Sequence, residues 1–226
     1  MAVLISMQKV FLNGDFIDKD SAKISIFDRG FIFGDGIYEV VPVINGVMVE
    51  KQGFWDRFKR SLSEIDLSLP YSKDEFENIL NELIKINSLN EGGIYIQITR
   101  GIAQRDFSFV SGITPTVMAF AFSDSVLEHP GAKSGITIIS TPDIRWKRRD
   151  IKSISLLGQC YAKNQAAIAG ADECFMVEDG YVTEAGSSSA FIIKDGALIT
   201  KPLSNEILPG IRRQRLLNLA KEIGLK

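Results

Sequence analysis

The chain has 226 residues, 45% of them hydrophobic and 24% charged, which excludes disorder and collagen-like repeats and allows one large domain or two ordinary ones. Lys and Arg (26) nearly balance Asp and Glu (28), for a formal charge of -2, so composition gives no reason to expect nucleic acid or an anionic membrane as partner. Two cysteines without metal or redox spacing, Cys160 and Cys174, favour a reducing compartment. No apolar run approaches the roughly 18–20 residues of a membrane span. MAVLISMQKV is too short and uncharged for a signal peptide, so the expected location is the cytoplasm.

In chain order, KVFLNGDFID predicts a hairpin about Asn13-Gly14, and IYEVVPVI with VMVEK a second about Asn45-Gly46. A helix is expected from near Phe54, with Trp55, Phe58, Leu62 and Ile65 on its apolar side. A second follows from about Ser72, whose capping-box pattern ends at Glu75, through Phe76, Ile79, Leu83 and Ile86. GIYIQITRG and PTVMAFAF read as strands, and residues 123–133 as a linker. Beyond it come the strand ITIIST, the charged turn DIRWKRRDIK, a helix over 156–169, and short strands at ECFMVED, GYVTE, AFIIKD and ALITK. A last helix starts near Pro209, carries Ile211, Leu216, Leu217, Leu219 and Ala220, and ends at Gly224. The pattern predicts an α+β protein of two domains, 1–122 and 134–226, each with a mostly antiparallel sheet.

The lone histidine, His129, sits in the linker, where a histidine is ordinarily solvated, so proton chemistry must run on Lys, Tyr, Asp, Glu or a cofactor. Four places depart from a plain fold. DRGFIFGDGIYEVV (28–41) clusters Gly30, Gly34 and Gly36 without a Walker or dinucleotide spacing, which suits tight turns better than a phosphate cradle, and leads into Tyr38 and Glu39. Arg57, at the border of a helical apolar stripe, is either a snorkelling side chain or an anion ligand. Lys152 lies between apolar residues after the basic run Arg145, Lys147, Arg148 and Arg149, surroundings that lower a lysine pKa and favour Schiff-base chemistry. Lys163 is the competing lysine, and a solvated charged face is the plainer explanation of the run. VTEAGSSSAF (182–191) brings a carboxylate, a glycine and three serines together, as an anion cradle or a polar turn.

Taken in order, DRGFIFGDGIYEVV, GIYIQITRGIAQR, DIRWKRRDIKSISLLGQCYAK, VTEAGSSS and ILPGIRR resemble the blocks of the fold-type IV pyridoxal-phosphate (PLP) enzymes, over essentially the whole chain. That family includes D-amino acid aminotransferases, branched-chain aminotransferases and aminodeoxychorismate lyases, and the likeness is strongest to the first. The resemblance implies a small α+β domain and a larger pseudo-barrel PLP-binding domain. It implies that Lys152 links to the cofactor and shuttles the proton between Cα and C4′, and that Glu184 pairs with the pyridinium nitrogen. Arg57 becomes the phosphate arginine, Arg145 a neighbour of the ring's phenolic oxygen, and Leu208 the residue against the ring. Ser187 supplies a phosphate hydroxyl, and Gly210, Ile211 and Arg212 form a helix-start anion site. Tyr38 lies on the substrate side, and Arg105 reaches a neighbouring subunit's carboxylate trap, which implies a homodimer.

The resemblance has departures. The histidine usual two residues after Arg105 is Phe107, the family's His-x-x-Arg is Phe54-Trp55-Asp56-Arg57, and the threonine usual at the last helix start is Arg212. The serine block is rewritten as Glu184-Ala185-Gly186-Ser187-Ser188-Ser189. The implied activity is transamination between a D-amino acid (D-alanine or D-glutamate) and a 2-oxo acid, with no metal. The alternatives are an aminodeoxychorismate lyase, a branched-chain L-aminotransferase, or an inactive scaffold of the same fold. Relatives continue past Gly224 with further strands, so the domain from 134 is expected to be incomplete at Lys226.

Overall fold

Both Asn-Gly pairs turn the chain where the alternation places them, because Asn13, Gly14, Asn45 and Gly46 all take positive φ (51°, 110°, 52° and 72°), as a tight hairpin requires. They join β1 (Lys9–Leu12) to β2 (Asp15–Asp18) and β3 (Gly36–Ile44) to β4 (Val47–Met48) in a computed structural model that describes residues 9–129 and 131–226. Residues 1–8 of the stretch read as lacking a signal peptide, and Pro130 of the linker, lie outside the described residues. Backbone contacts divide the chain into two units, Met1–His129 with Lys152–Ile154, and Pro130–Ile151 with Ser155–Lys226.

In the first unit, β5 (Glu91–Thr99) and β6 (Thr116–Ser123) complete an antiparallel six-stranded sheet of order β2-β1-β6-β5-β3-β4. Strand period two sends Ile37, Val41, Ile94, Ile96, Ile98, Val117 and Ala119 to one face, each at most 1% exposed. Against that face pack α2 (Lys51–Ser63) on β3 and α3 (Lys73–Ile86) on β1 and β6. Helix α3 begins at the expected capping box, with the Ser72 hydroxyl accepting from Glu75 N–H and the Glu75 carboxylate from Ser72 N–H. Phe54, Trp55, Phe58 and Phe76 knit the two helices together with ring centroids 5.0–6.2 Å apart.

The glycine-rich stretch contains a short helix, α1 (Arg29–Phe33), that hydrophobic periodicity does not announce. Asp28 caps it through Gly30 N–H, and Gly34 ends it in left-handed backbone (φ 67°). A Cβ on Gly36 would stand 2.4 Å from Ile98 O, so this glycine serves a close strand approach and not a phosphate.

The second unit opens with the short α4 (Gly131–Ser134), followed by β7 (Ile138–Pro142), α5 (Leu157–Ile168), β8 (Glu173–Glu178) and β9 (Tyr181–Ala185). Its three-stranded sheet, β7-β8-β9, departs from the antiparallel expectation. β7 and β8 are parallel because α5 carries the chain across between them, and only β9 returns through a tight turn at Asp179-Gly180. Ala162 and Ala166 of α5 pack on Cys174 and Met176 of β8. β10 (Ile192–Lys194) and β11 (Ala197–Ile199) form a separate hairpin, so the strands expected in a pseudo-barrel lie here in two sheets. The last helix, α6 (Ile211–Glu222), starts after Gly210, leaving Pro209 just before the N-cap. Leu216 and Leu219 of its expected apolar set are 42% and 41% exposed.

Candidate functional site

Lys152 belongs to the first unit, although its place in the sequence suggests the second domain. The reason is backbone pairing with β3: Tyr38 N–H donates to Lys152 O (2.9 Å), and Ile154 N–H donates to Gly36 O (3.1 Å). Lys152 N–H also donates to Ser61 Oγ on α2 (3.2 Å). This pairing sets the Lys152 ammonium over the Tyr38 ring, 4.1 Å from its centroid, where the π face stabilises a cation. Tyr38 stacks on Tyr95, and Tyr95 on Phe120, at 5.6 and 4.9 Å, along the sheet face away from the helices. The Tyr95 hydroxyl donates to Gln97 (2.8 Å), and burial, helped by Tyr38, pushes its pKa up to about 12.

Glu39, the residue after Tyr38, points to the helix-covered face and is 0% exposed. Arg57 of α2 meets it as a fork, Nε to Oε1 and Nη2 to Oε2, both 2.7 Å. Arg57 is therefore neither a surface snorkel nor an isolated cation. The partner was legible in principle, since Glu39 is the one charged residue on the Ile37–Val41–Val43 side of its strand.

In the second unit, Glu184 at the end of β9 is 6% exposed and accepts from Arg145 Nη1 at 2.7 Å. Burial raises the Glu184 pKa, and the charge of Asp143 adds to this, against the opposing pull of Arg145 and a backbone hydrogen bond from Leu208. Arg145 is also bound to Asp143, Nε to Oδ1 (3.0 Å) and Nη2 to Oδ2 (2.8 Å), and Thr183 donates to Asp143 Oδ2 (2.6 Å). Burial opposes both charges of this pair, yet their mutual hydrogen bonds lower the Asp143 pKa and raise that of Arg145. The basic run is neutralised within itself and its sheet: Arg148 pairs with Asp150, and Lys147 and Arg149 with Glu178. Asp143 and Thr183 escaped the sequence reading, although Asp-x-Arg spacing is the signal for an arginine folded back on its own chain.

The other expected residues are placed as follows. Lys163, the competing lysine, is spent on Glu173 at 3.2 Å. His129 is exposed, as is Ser187, whereas Leu208 and Ile211 are half-buried. Arg212 is exposed, and helical phase turns Arg213 inward instead, 7% exposed, with Nη2 donating to Lys201 O (2.8 Å). Arg105 is exposed, its guanidinium beside the rings of Phe107 and Phe33 at 5.1 and 5.7 Å. Phe107, two residues on, thus lends this arginine a π face.

The residues present suit a pyridoxal phosphate. α6 has no side-chain N-cap, so the first-turn N–H groups remain to serve an anion, and a Cβ on Gly210 would fill the space 2.9 Å from Ser189 Oγ. Arg213 Nε is buried with no protein partner, a further donor at this helix start. Within the second unit Glu184 is a buried acid of the kind a pyridine nitrogen pairs with, and within the first Lys152 carries a primary amine.

A model of the class IV amino-transferase family matches residues 36–226. The D-alanine aminotransferase of Staphylococcus haemolyticus is 45% identical over 92% of this chain and 74% of its own length. That of Staphylococcus aureus strain N315 is 41% identical over 97% of this chain and 78% of its own. The branched-chain amino acid aminotransferase of Escherichia coli, 22% identical, shares the fold with a TM-score of 0.87 over 97% of this chain and 76% of that one. A family model over most of the chain and relatives more than 40% identical show that the chain belongs to the class IV aminotransferase family.

Proposed function

We propose that the protein transfers the amino group of a D-amino acid, of the D-alanine or D-glutamate type, to a 2-oxo acid such as pyruvate or 2-oxoglutarate in a PLP-dependent ping-pong cycle. The observation that carries this reading is the 45% and 41% identity to D-alanine aminotransferases over nearly the whole chain. When bound, the cofactor supplies an electron sink for the substrate's Cα. Lys152 Nζ takes the proton from Cα and returns it at C4′, which suits an amine held over an aromatic face beside the strand that carries Tyr38. Glu184 would hold the ring nitrogen's proton through a hydrogen bond, its Oε2 already accepting from Arg145 Nη1. Leu208 would pack against the ring.

For the phosphate we assign the backbone N–H groups of Gly210, Ile211 and Arg212, with the Ser187 hydroxyl and the Arg57 guanidinium. The Arg212 side chain is exposed, so only its backbone is assigned a part. Tyr38 faces the substrate, and Arg105 binds the α-carboxylate in the partner subunit of a homodimer. The protein works in the cytoplasm; among the described residues no helix is long and apolar enough to cross a membrane.

The test is acceptor dependence with D- and L-amino donors. D-Alanine with 2-oxoglutarate is expected to outpace L-leucine. Faster turnover of L-leucine would indicate a branched-chain enzyme, and pyruvate release from aminodeoxychorismate without any oxo acid would indicate a lyase.

A further inference from the structure

One buried acid of the second unit has no part in that chemistry. The Asp143 carboxylate, just past β7, is 0% exposed, yet both its oxygens are engaged. Oδ1 accepts from the Arg145 backbone N–H (3.1 Å) and Nε (3.0 Å). Oδ2 accepts from Arg145 Nη2 (2.8 Å) and the Thr183 hydroxyl (2.6 Å), with Arg149 Nη1 3.3 Å away. An ion this deeply buried is retained only where its hydrogen bonds are complete.

The consequence falls on Arg145. A guanidinium facing a single carboxylate closes on it as a two-bond fork, as Arg57 does on Glu39. Arg145 instead has its Nε–Nη2 edge held by Asp143, so only Nη1 reaches Glu184, at 2.7 Å. Of the four or so acceptor positions of an ionised carboxylate, Glu184 gives one to Arg145 and one to the Leu208 backbone.

We propose that Asp143 is a positioning residue: by occupying one edge of Arg145 it keeps that arginine from closing on Glu184, and so leaves Glu184 an acceptor position for the cofactor's ring nitrogen. The inference rests on the reading of Glu184 as the partner of that nitrogen. Thr183, adjacent to Glu184 on β9, fixes Asp143 from the other side and keeps clamp and glutamate in register.

The experiment titrates pyridoxal 5′-phosphate into the wild-type chain, Asp143→Asn, Glu184→Gln and the double variant. It reads the dissociation constant and the absorbance band of the bound cofactor, with circular dichroism to check the fold. Asp143→Asn is expected to weaken binding about tenfold and to shift the band in the same sense as Glu184→Gln. In the Glu184→Gln background the second substitution should cost less than about twofold, because the group it acts through is already gone. An equal loss in both backgrounds would make Asp143 a structural residue only, and an unchanged constant and band would remove its role altogether.

If Asp143→Asn does not fold, Thr183→Val keeps the charge and removes one of its anchors. It should give a smaller loss in the same direction, again absent beside Glu184→Gln, and a loss that persists there overturns the proposal. A wild-type chain that forms no bound band overturns the cofactor reading itself, whereas a normal wild-type band with a silent Asp143→Asn overturns only the clamp.

Discussion

Each unit buries an arginine against a glutamate, and the two pairs are built differently. Arg57 and Glu39 form a closed fork, two 2.7 Å bonds between a side chain 11% exposed and one 0% exposed, with each Glu39 oxygen bound to Arg57. Arg145 is shared: Asp143 takes its forked edge and Glu184 receives one bond. A closed fork satisfies its carboxylate and holds structure. A shared arginine leaves its second carboxylate buried and under-coordinated, which is why burial wins and the Glu184 pKa rises. The comparison marks Glu39 as a residue of stability and supports the role proposed for Glu184.

The largest expected effect breaks the closed pair. Glu39→Gln leaves Arg57 buried with its charge uncompensated, and should destabilise the protein by about 3 kcal/mol in urea unfolding. Glu184→Gln should cost only about 1 kcal/mol, since Arg145 keeps Asp143, yet should weaken cofactor binding far more than its stability loss suggests. Equal destabilisation by the two substitutions would erase the distinction drawn here.

A smaller effect concerns acid. Hydrogen bonds from Arg149 and Lys147 hold Glu178 down to about 2 from an ordinary 4.5. A carboxylate with a depressed folded-state pKa contributes stability that is present above pH 4.5 and lost as pH falls toward about 2. The depressed Asp143 acts in the same direction, while the raised Glu184 opposes it. The thermal unfolding midpoint should therefore fall as pH drops through this window, and Glu178→Gln should flatten the slope. A slope unchanged by Glu178→Gln would remove that pair from the account.

The smallest effect is spectroscopic. Tyr95 should ionise near pH 12, later than an ordinary phenol at 10, so its contribution persists through pH 10 and fades toward 12. Ultraviolet titration of Tyr95→Phe should lose that late step and no other.

Local features were legible in the sequence because local chemistry determines them. The Asn-Gly turns and the Ser72–Glu75 box are set by residues within four positions of one another, and both appear as read. What needed the structure is nonlocal. The segment carrying Lys152 joins the first unit through backbone bonds to Gly36 and Tyr38, more than a hundred residues earlier, and no periodicity encodes such a pairing. The parallel β7–β8 pair follows from the crossover of α5, which a succession of short strands does not reveal.

At the site, residue types were readable where blocks resembled a family, but partners were not. The basic run reads as a field of positive charge acting on Lys152, whereas Asp143, Asp150 and Glu178 neutralise its members one by one. At the start of α6 the sequence points to Arg212, and helical phase buries Arg213 instead. Phase depends on where the helix begins, which lies two residues beyond the proline expected to open it.

The central claim is that Lys152 is the amine of a PLP-dependent D-amino acid transaminase, and an absorbance spectrum tests it most directly. Wild-type protein loaded with pyridoxal 5′-phosphate should show a band near the visible edge that D-alanine bleaches and L-alanine leaves in place, and Lys152→Ala should form no such band. A Lys152→Ala protein that forms the same band, or a wild-type band indifferent to D-alanine, would contradict it.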